Sequence, residues 1–563
     1  MVSDRISGSG VIGEFDYIIV GGGSAGCVLA YRLGEDKNVS ILVLEAGGSD
    51  RDPLIHIPLG MGRMHQKRSH DWGYDFEPEV ATGSRVIEAM RGKIIGGSTA
   101  INHMSHVRGN PGDYDRWGAS GLKDWSYKAA LPYFRRSETW AKGGNNYRGG
   151  EGPLSIVPAS ANDPLLEAFI EAGSACGLPY NEDYNGARQD GMGRGQFTIR
   201  QGRRHTAADA YLRPAIGRGN VRLLTQAHVT RVIIERDQAS GIEFLRHGKK
   251  TRVRARREII LAAGAFNTPQ LLMLSGIGPA DHLREHGITP ILDIAGVGRN
   301  LQDHMSVNVA GTRPEPGLFQ KELRFDRMAF SMARAHLFGT GPATMLPGGL
   351  HGYVRVNQAL SVPDIQLMFR ATSSFPRLWF PGIRKPLPDS CGVRVNLLHP
   401  KSRGQVRLRS ANPLDKVRIH GGFLTEGEDL QTIREGVHFA RDLLAQKMLD
   451  RYRGHETVPG PKIKSDAEIE KWIRATAVTI HHPAGTCAMG ADAYAVVDNE
   501  LRLRHIAGLR LVDASVMPDL VSGNINACVV MIAEKASDTI RANSQSRQTN
   551  DRVDGRPNAS SRC

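Results

Sequence analysis

Long hydrophobic runs are absent from this sequence of 563 residues. No stretch reaches the roughly 18 consecutive apolar residues of a membrane-spanning helix, so such a helix is excluded. The first thirteen residues are polar and rich in Gly and Ser, without the apolar core of a secretory signal, and indicate a flexible arm before the first strand. We therefore expect a cytoplasmic protein, with peripheral contact at the inner face of the membrane as an alternative.

Cysteine and aromatic residues are also sparse. The cysteines are scattered without a CxxC pair or metal-ligand spacing, which favours reduced thiols and no metal site; they are Cys27, Cys176, Cys391, Cys487, Cys528 and Cys563. Aromatic residues make up only 6% of the chain, and no nucleic-acid-binding motif accompanies the formal charge of +14. Nucleic acid is therefore not an expected partner.

One basic cluster stands out at 249–257. Its alternation suits the outer face of a strand and favours a solvated surface over contact with an anionic membrane or an acidic partner. At this length the chain exceeds the roughly 250–300 residues of a single core, so two domains are expected.

The chain opens with a βαβ pattern. An apolar run at Phe15–Val20 precedes a glycine cluster, a helical stretch from Ser24 to about Leu33, and a second apolar run at Val39–Leu44. Further on, 221–258 contains several short runs of alternating apolar and charged residues, which suggest antiparallel strands.

The glycine cluster satisfies GxGxxG through Gly21, Gly23 and Gly26, with Ser24 and Ala25 between them. These glycines permit a tight turn, close approach of a pyrophosphate and close packing of helix on strand. Glu45 and Ala46 follow the next strand, where a carboxylate accepts hydrogen bonds from ribose hydroxyls. This context predicts a dinucleotide site, but it does not distinguish FAD from NAD.

Six further segments, in order along the chain, resemble the glucose–methanol–choline (GMC) oxidoreductase family of FAD enzymes. They are RGKIIGGSTAIN at 91–102, GAFNTPQLLMLSGIGP at 264–279, VGRNLQDH at 297–304, HHPAGTCAMG at 481–490, GLRLVDASVMP at 508–518 and SGNINACVVMIAEKASDTI at 522–540. The resemblance runs from about Phe15 to Ile540. Its pattern is more similar to choline dehydrogenases and bacterial alcohol dehydrogenases than to glucose oxidase, which tends to have histidine where this chain has Asn524.

The resemblance implies where FAD binds. Residues implied near the flavin, ribityl chain, pyrophosphate or adenine are Gly96, Gly97, Ser98, Asn102, Val229, Asp513, Ala514 and Asn526. Some relatives attach the flavin through a histidine immediately before the asparagine of the first segment. Ile101 occupies that position here, so FAD is expected to bind non-covalently. For His103, a packing or surface role is favoured over contact with the flavin.

The resemblance also implies two catalytic residues. His482 is the expected base for the substrate hydroxyl, since an imidazole titrates near working pH. Adjacent side chains of an extended segment point to opposite faces, so only one of His481 and His482 is expected to face the flavin. Asn524 is expected to donate a hydrogen bond to the developing alkoxide, with a helix N-cap as its alternative role.

These features predict an α/β protein with a doubly wound, Rossmann-like FAD-binding domain and a substrate domain built on an antiparallel sheet flanked by helices. The expected FAD-binding parts are 14–150, 220–310 and 476–543; the expected substrate-binding parts are 151–219 and 311–475; a disordered tail is expected at 544–563. The expected reaction is oxidation of an alcohol, favoured as primary, to the aldehyde, with oxygen or a quinone as electron acceptor. A hydroxynitrile lyase-like or other non-redox reaction on the same scaffold is the alternative.

Overall fold

The computed structural model describes residues 11–160, 163–373 and 376–553. Its helices are Ser24–Leu33, Pro53–His56, Met61–Lys67, Pro111–Ala119, Tyr127–Ser137, Pro164–Ala175, Arg213–Ile216, Gly264–Leu274, Ala280–Glu285, Leu318–Glu322, Phe325–Phe338, Gly427–Leu444, Asp466–Thr476 and Asn526–Val553. Two seven-stranded sheets organise the chain, and each has its own buried hydrophobic cluster.

The first sheet is mixed. Its strands in spatial order are Val221–Leu224, Ile41–Leu44, Val11–Val20, Lys249–Leu261, Gln238–Arg246 and His228–Glu235, and Leu509–Leu511 also pairs with Lys249–Leu261. The strands that surround Val11–Val20 are parallel, and all four residues of Ile41–Leu44 are buried, as expected for a strand covered on both faces. The carboxyl ends of the parallel strands meet at one edge, where ligands bind in doubly wound sheets.

The expected antiparallel region is only partly antiparallel. Gln238–Arg246 forms antiparallel pairs with both of its neighbours, His228–Glu235 and Lys249–Leu261. By contrast, Val221–Leu224 pairs in parallel with Ile41–Leu44, and the last residues of Lys249–Leu261 pair in parallel with Val11–Val20. Alternation identifies a strand but not its direction, which depends on partners distant in the sequence.

The second sheet is antiparallel throughout the described residues. Its strands in spatial order are Glu456–Val458, Met305–Thr312, Ser390–Leu397, Ile365–Arg370, Leu350–Val354 and Gly191–Arg194, and Val478–Thr479 also pairs with Met305–Thr312. Helix Gly427–Leu444 packs on this sheet, with Gly436 so close to Val395 that an added Cβ would lie 2.6 Å from a Val395 methyl. The sheet thus has one apolar face under a helix, and its other face is polar.

Short two- and three-stranded sheets complete the fold. Their strands are Asp75–Phe76 with Ile87–Glu88; Glu138–Trp140 with Leu154–Pro158 and Gln196–Phe197; Ile199–Arg200 with Arg203–Arg204; Ile277–Gly278 with Leu292–Asp293; and Gln405–Arg407 with Arg418–His420.

Three predicted boundaries differ from the structure. Strand Met305–Thr312 lies wholly in the second sheet, together with Val478–Thr479, so the boundaries at 310 and 476 cut through that sheet. We propose that the chain changes domain just before residue 305 and after residue 479. The first strand begins at Val11, before the expected end of the arm, whose residues 1–10 lie outside the described residues.

The C-terminal helix is longer than expected. It continues to Val553, and the Ser544 hydroxyl lies 2.7 Å from the Tyr17 hydroxyl within hydrogen-bonding distance. The polar composition that suggested a tail from residue 544 is equally compatible with an exposed helix. The rest of that predicted tail, residues 554–563, lies outside the described residues. No helix in the described ranges combines the length and apolar character needed to cross a membrane.

Candidate active site

The glycine loop at the carboxyl end of the first strand is held by close backbone contacts. Gly21 has a φ of +105°, and a Cβ there would lie 2.4 Å from the Ala262 carbonyl oxygen. A Cβ on Gly26 would lie 1.9 Å from the Gly21 carbonyl oxygen, so the helix packs directly against the loop. Both positions therefore require glycine for steric reasons, as the motif predicted.

Glu45 fixes the same loop from the neighbouring strand. Its two carboxylate oxygens accept hydrogen bonds from the backbone N–H groups of Gly22, at 2.9 Å, and Gly47, at 2.7 Å. Burial raises the pKa of Glu45 to about 7. Each oxygen retains a lone pair for a ribose hydroxyl, so the predicted ribose contact is compatible with these bonds.

A large cavity of about 1670 Å³, a volume that includes the part open to solvent, extends from this loop. All but two of the predicted site residues line it: Gly21, Gly23, Ser24, Ala25, Glu45, Ala46, Gly97, Ser98, Asn102, Val229, Asp513, Ala514, Asn526, His482 and Asn524. Gly26 and Gly96 do not line it. Gly96 instead occupies a turn with a φ of +83° and donates its N–H to the Gly22 carbonyl at 2.8 Å.

Segments far apart in sequence close the cavity around the glycine loop. The Ser24 hydroxyl donates to the Asn526 side-chain carbonyl at 2.7 Å, joining the starts of the first and last helices. Asp513 accepts from the Thr268 hydroxyl at 2.6 Å and from the Gly264 N–H at 2.9 Å. The combination of glycine backbone, helix N-termini and an anchored carboxylate suits FAD, whose pyrophosphate needs N–H donors and whose ribose needs an acceptor.

His482 and Asn524 meet at the cavity wall. The Asn524 side-chain N–H group donates to His482 Nε2 at 3.1 Å, while Asn524 Oδ1 is buried without a hydrogen-bond partner. An unpartnered buried acceptor beside a ring nitrogen is a suitable place for a hydroxyl group. The helix begins two residues later, at Asn526, and the Asn524 side chain contacts His482.

His304 determines which nitrogen of His482 carries the proton. His304 Nε2 lies 3.0 Å from the Leu398 carbonyl, which can only accept, so this nitrogen is protonated. Burial lowers the pKa of His304 to about 3, so the ring is neutral and its Nδ1 is an acceptor. That Nδ1 lies 2.9 Å from His482 Nδ1, which must then donate. His482 Nε2 is then an unprotonated acceptor at the cavity wall, where it receives the Asn524 N–H.

Asp303 holds the backbone of the same segment. One of its carboxylate oxygens accepts the His482 backbone N–H at 2.8 Å, and the other accepts the Thr479 hydroxyl at 2.6 Å. Burial raises the pKa of Asp303 to about 6. Asp303 and His304 both belong to the segment VGRNLQDH, one of the six segments that resemble the family. The sequence alone predicted no site role for either residue.

His481 differs from expectation, whereas His103, for which packing was favoured, has a ring neighbour. His481 has a φ of +65°, so the backbone is not extended there, and both His481 and His482 line the cavity. The alternation rule failed because it holds only for extended chains. His103 also lines the cavity, with its ring 5.0 Å from that of His65. Burial lowers the pKa of both His103 and His481 well below 6.5.

Fold and cavity together define a dinucleotide-binding protein. Residues 15–306 and 400–533 match the GMC oxidoreductase family, and the chain belongs to this family. It is therefore an FAD-dependent oxidoreductase. Non-covalent binding is the typical form in the family, and the buried side chain of Ile101 offers no group for covalent attachment.

Individual relatives extend the likeness over nearly the whole chain. The oxygen-dependent choline dehydrogenase of Brucella canis is 40% identical over 94% of this chain and 95% of its own. The mitochondrial choline dehydrogenase of Mus musculus is 40% identical over 94% and 89%. Among solved structures, pyridoxine 4-oxidase from Mesorbium loti has a TM-score of 0.84 at 35% identity, covering 94% of this chain and 99% of that one. Formate oxidase from Aspergillus oryzae RIB40, studied for FAD modification, has a TM-score of 0.87 at 28% identity, covering 95% and 99%.

Proposed function

We propose that this enzyme oxidises a primary alcohol to the aldehyde, with His482 as the base. Oxidation of an alcohol by an FAD enzyme is the chemistry of the family; the base and the type of alcohol are the proposal. The observation that carries it is the position of His482, whose Nδ1 lies 2.9 Å from His304 Nδ1 and whose Nε2 lies 3.1 Å from the Asn524 amide at the cavity wall. A substrate hydroxyl inserted at this position would donate its proton to that nitrogen.

Asn524 complements His482 in this proposal. Once a hydroxyl displaces the present contact, the Asn524 N–H group can donate to the substrate oxygen as negative charge develops on it. Its side chain does not titrate, so this donor is available at every working pH. Bound FAD supplies the acceptor for the hydride that leaves the carbinol carbon.

We also propose that the predicted nucleotide-binding residues along the cavity wall hold FAD. Gly21, Gly23 and Ser24 would face the pyrophosphate, Glu45 the ribose, and Val229 the adenine. The start of helix Asn526–Val553 at the cavity wall supports a role for its positive end near the reduced flavin ring.

Anaerobic mixing of the flavin-loaded protein with a panel of primary alcohols tests the reaction. We expect one class of alcohol to bleach the flavin absorbance. Return of the colour in air would identify oxygen as an acceptor, and return only with a quinone would identify a dehydrogenase. Turnover of cyanohydrins without any bleaching would overturn the proposal in favour of the lyase alternative.

For the membrane contact we propose a specific surface, the outward face of helix Phe325–Phe338 with the adjoining loop. Phe330, Leu337 and Phe338 are 65–73% exposed on one side of the helix. Phe325 contacts Phe380 with ring centroids 6.4 Å apart, and Ile383 is 82% exposed beside them. Large exposed apolar patches mark interaction sites.

Exposed basic residues are close to this patch in the sequence, which suits an anionic bilayer surface. Lys321, Arg327, Arg377, Arg384 and Lys385 are all exposed nearby in the sequence. The basic cluster at 249–257 is a poorer candidate, because many of its members already pair with carboxylates, as Arg252 does with Glu243 and Arg256 with Asp16. An enzyme bound at a bilayer would hold its reduced flavin close to quinones in the membrane, which could accept the electrons.

Sedimentation with vesicles tests this surface. We expect the protein to co-sediment with phosphatidylglycerol-containing vesicles and the double variant F330S/F338S to remain in solution. Val80→Ser, which replaces an apolar side chain 89% exposed elsewhere, is the matched control and should behave like the wild type. Equal sedimentation of all three proteins would contradict the proposal.

A further inference from the structure

A buried carboxylate holds the turn that carries Asn524. Asp113 is fully buried in helix Pro111–Ala119, and it accepts the Ser522 backbone N–H at 2.6 Å and the Ser522 hydroxyl at 3.0 Å. The Ser522 carbonyl accepts a hydrogen bond from the Gln189 side-chain amide at 2.7 Å. Every polar group of Ser522 is therefore engaged, two residues before the catalytic amide.

The residue between Ser522 and Asn524 makes this anchor important. Gly523 has a φ of +125°, and a Cβ there would lie 2.6 Å from a Val107 methyl, so the position requires glycine. Glycine restricts the backbone less than any other residue. The direction of the Asn524 side chain must therefore be fixed by the bonds on either side of the glycine.

His399 forms the other contact of the Ser522 side chain. Its Nε2 lies 3.0 Å from the Ser522 hydroxyl oxygen and 3.6 Å from Asp113 Oδ1. The single hydroxyl proton of Ser522 goes to the carboxylate, which can only accept, so His399 Nε2 must be the donor to the hydroxyl oxygen. Burial lowers the pKa of His399, which keeps this donor uncharged.

The cluster has the residue types of a hydrolytic triad but not its arrangement. In a triad the serine hydroxyl gives its proton to the histidine, whereas the Ser522 hydroxyl donates to Asp113. Ser522 is fully buried, and neither it nor Asp113 nor His399 lines the cavity. The cluster therefore holds a turn in place and presents no nucleophile.

The same two-residue segment supports both halves of the active site. Leu398 and His399 directly follow strand Ser390–Leu397 of the second sheet. The Leu398 carbonyl lies 3.0 Å from His304 Nε2, and His304 orients the base; His399 bonds Ser522, which anchors the amide. The 3.1 Å bond between the base and the amide completes a closed ring of contacts.

We propose that Asp113 and His399 are positioning residues for the alcohol oxidation. Through Ser522 they hold the Asn524 amide where it meets His482 and the substrate oxygen. Without these bonds the glycine turn would let the amide move, and small misplacements of a catalytic group cost large factors in rate. The inference rests on the proposed function, because it assigns supports to the pair that the reaction uses.

Replacement of His399 separates positioning from substrate binding. Anaerobic flavin reduction over a range of alcohol concentrations gives a limiting rate constant and a half-saturating concentration. We expect His399→Leu to lower the rate constant by about 10- to 100-fold and to leave the half-saturating concentration nearly unchanged. His399→Gln, which keeps a side-chain N–H donor, should recover most of the rate. His438→Leu, at an exposed histidine paired with Asp466, is the matched control and should react like the wild type.

Two further variants address the same anchor without changing the histidine. Ser522→Ala keeps both backbone bonds and removes only the hydroxyl, and Asp113→Asn removes one of the two carboxylate oxygens. We expect both to lower the limiting rate constant in the same way as His399→Leu. The Tm and the flavin content of each variant show whether it has folded, and Ser522→Ala keeps the test decisive if Asp113→Asn does not fold.

A double-mutant cycle with Asn524→Ala is the decisive experiment. Loss of the amide should lower the rate constant by about 10²–10³-fold. In that background His399→Leu should have little further effect, because no amide remains to be positioned. The same loss from His399→Leu in both backgrounds, or no loss in either, would overturn the positioning role while leaving alcohol oxidation standing. A wild-type flavin that no alcohol reduces would instead overturn the proposed function, and this inference with it.

Discussion

At the scale of single residues, the proposed chemistry depends on the tautomer of His482. The Leu398 carbonyl orients His304, and His304 in turn accepts the Nδ1–H of His482. His304 has no contact with substrate in this arrangement and acts as a positioning residue. Removing it would leave His482 free to carry its proton on Nε2, where no base would remain.

Replacement of His304 tests this positioning role. We expect His304→Ala to slow anaerobic flavin reduction by about 10²-fold, at the lower end of the range for a general base, while FAD binding is retained. His304→Gln should recover part of the rate, because a side-chain carbonyl can again accept from Nδ1. Equal rates for the alanine and glutamine variants would indicate a packing effect instead.

The acidic limb of the pH profile is a second prediction at this scale. Burial, followed by the neighbouring His304 and Arg91, lowers the pKa of His482 well below 6.5. A lowered pKa keeps the base unprotonated as the pH falls, so the rate of flavin reduction should be constant down to pH 6.5 and decline only at lower pH. Stopped-flow reduction across the pH range measures this, and a decline that begins above that pH would count against His482 as the base.

At the scale of elements, a buried charge network ties several segments around the site together. Glu138 is inaccessible to solvent and pairs with Arg108 at 2.7 Å, Arg148 at 2.6 Å and His106 at 2.9 Å. Arg148 extends the network to Asp183 at 2.7 Å. Removal of the central carboxylate would leave two buried guanidinium groups without their shared partner.

Substitution of Glu138 should therefore destabilise the fold. We expect Glu138→Gln to lower the free energy of unfolding by about 3–5 kcal/mol, measured by denaturant titration. Glu182→Gln is the matched control, because Glu182 forms an exposed pair with Lys142 and should change stability by about 1 kcal/mol or less. Similar losses for both variants would show that the buried network contributes no special stability.

Elements with strong local patterns were predictable, whereas their pairing was not. Residues 24–33 and 41–44 appear as predicted, because glycine punctuation and continuous apolar runs are local signals. The parallel pairing of Val221–Leu224 was missed, since its partner Ile41–Leu44 lies almost two hundred residues away. The final helix extends beyond residue 543, where a tail was predicted to begin. A polar sequence is compatible with a disordered tail and with an exposed helix.

At the scale of the whole molecule, the nucleotide end of the cavity and the pair His482 and Asn524 could be predicted, and the residues that position this pair could not. Motif spacing alone identified Gly21, Gly23 and Glu45, and the family resemblance added His482 and Asn524. His304 gave no local signal, because its role depends on contact with His482, which is distant in the sequence. A left-handed backbone at His481, invisible in the sequence, brought a second histidine to the same wall.

The central claim is that His482 removes the proton from the substrate alcohol. Its most direct test is the rate constant for anaerobic flavin reduction in His482→Ala compared with the wild type, at a saturating concentration of the best alcohol. We predict a decrease of about 10²–10⁴-fold with the flavin still bound and its oxidised spectrum unchanged. An unchanged rate constant would remove His482 from the mechanism and contradict this account of the site.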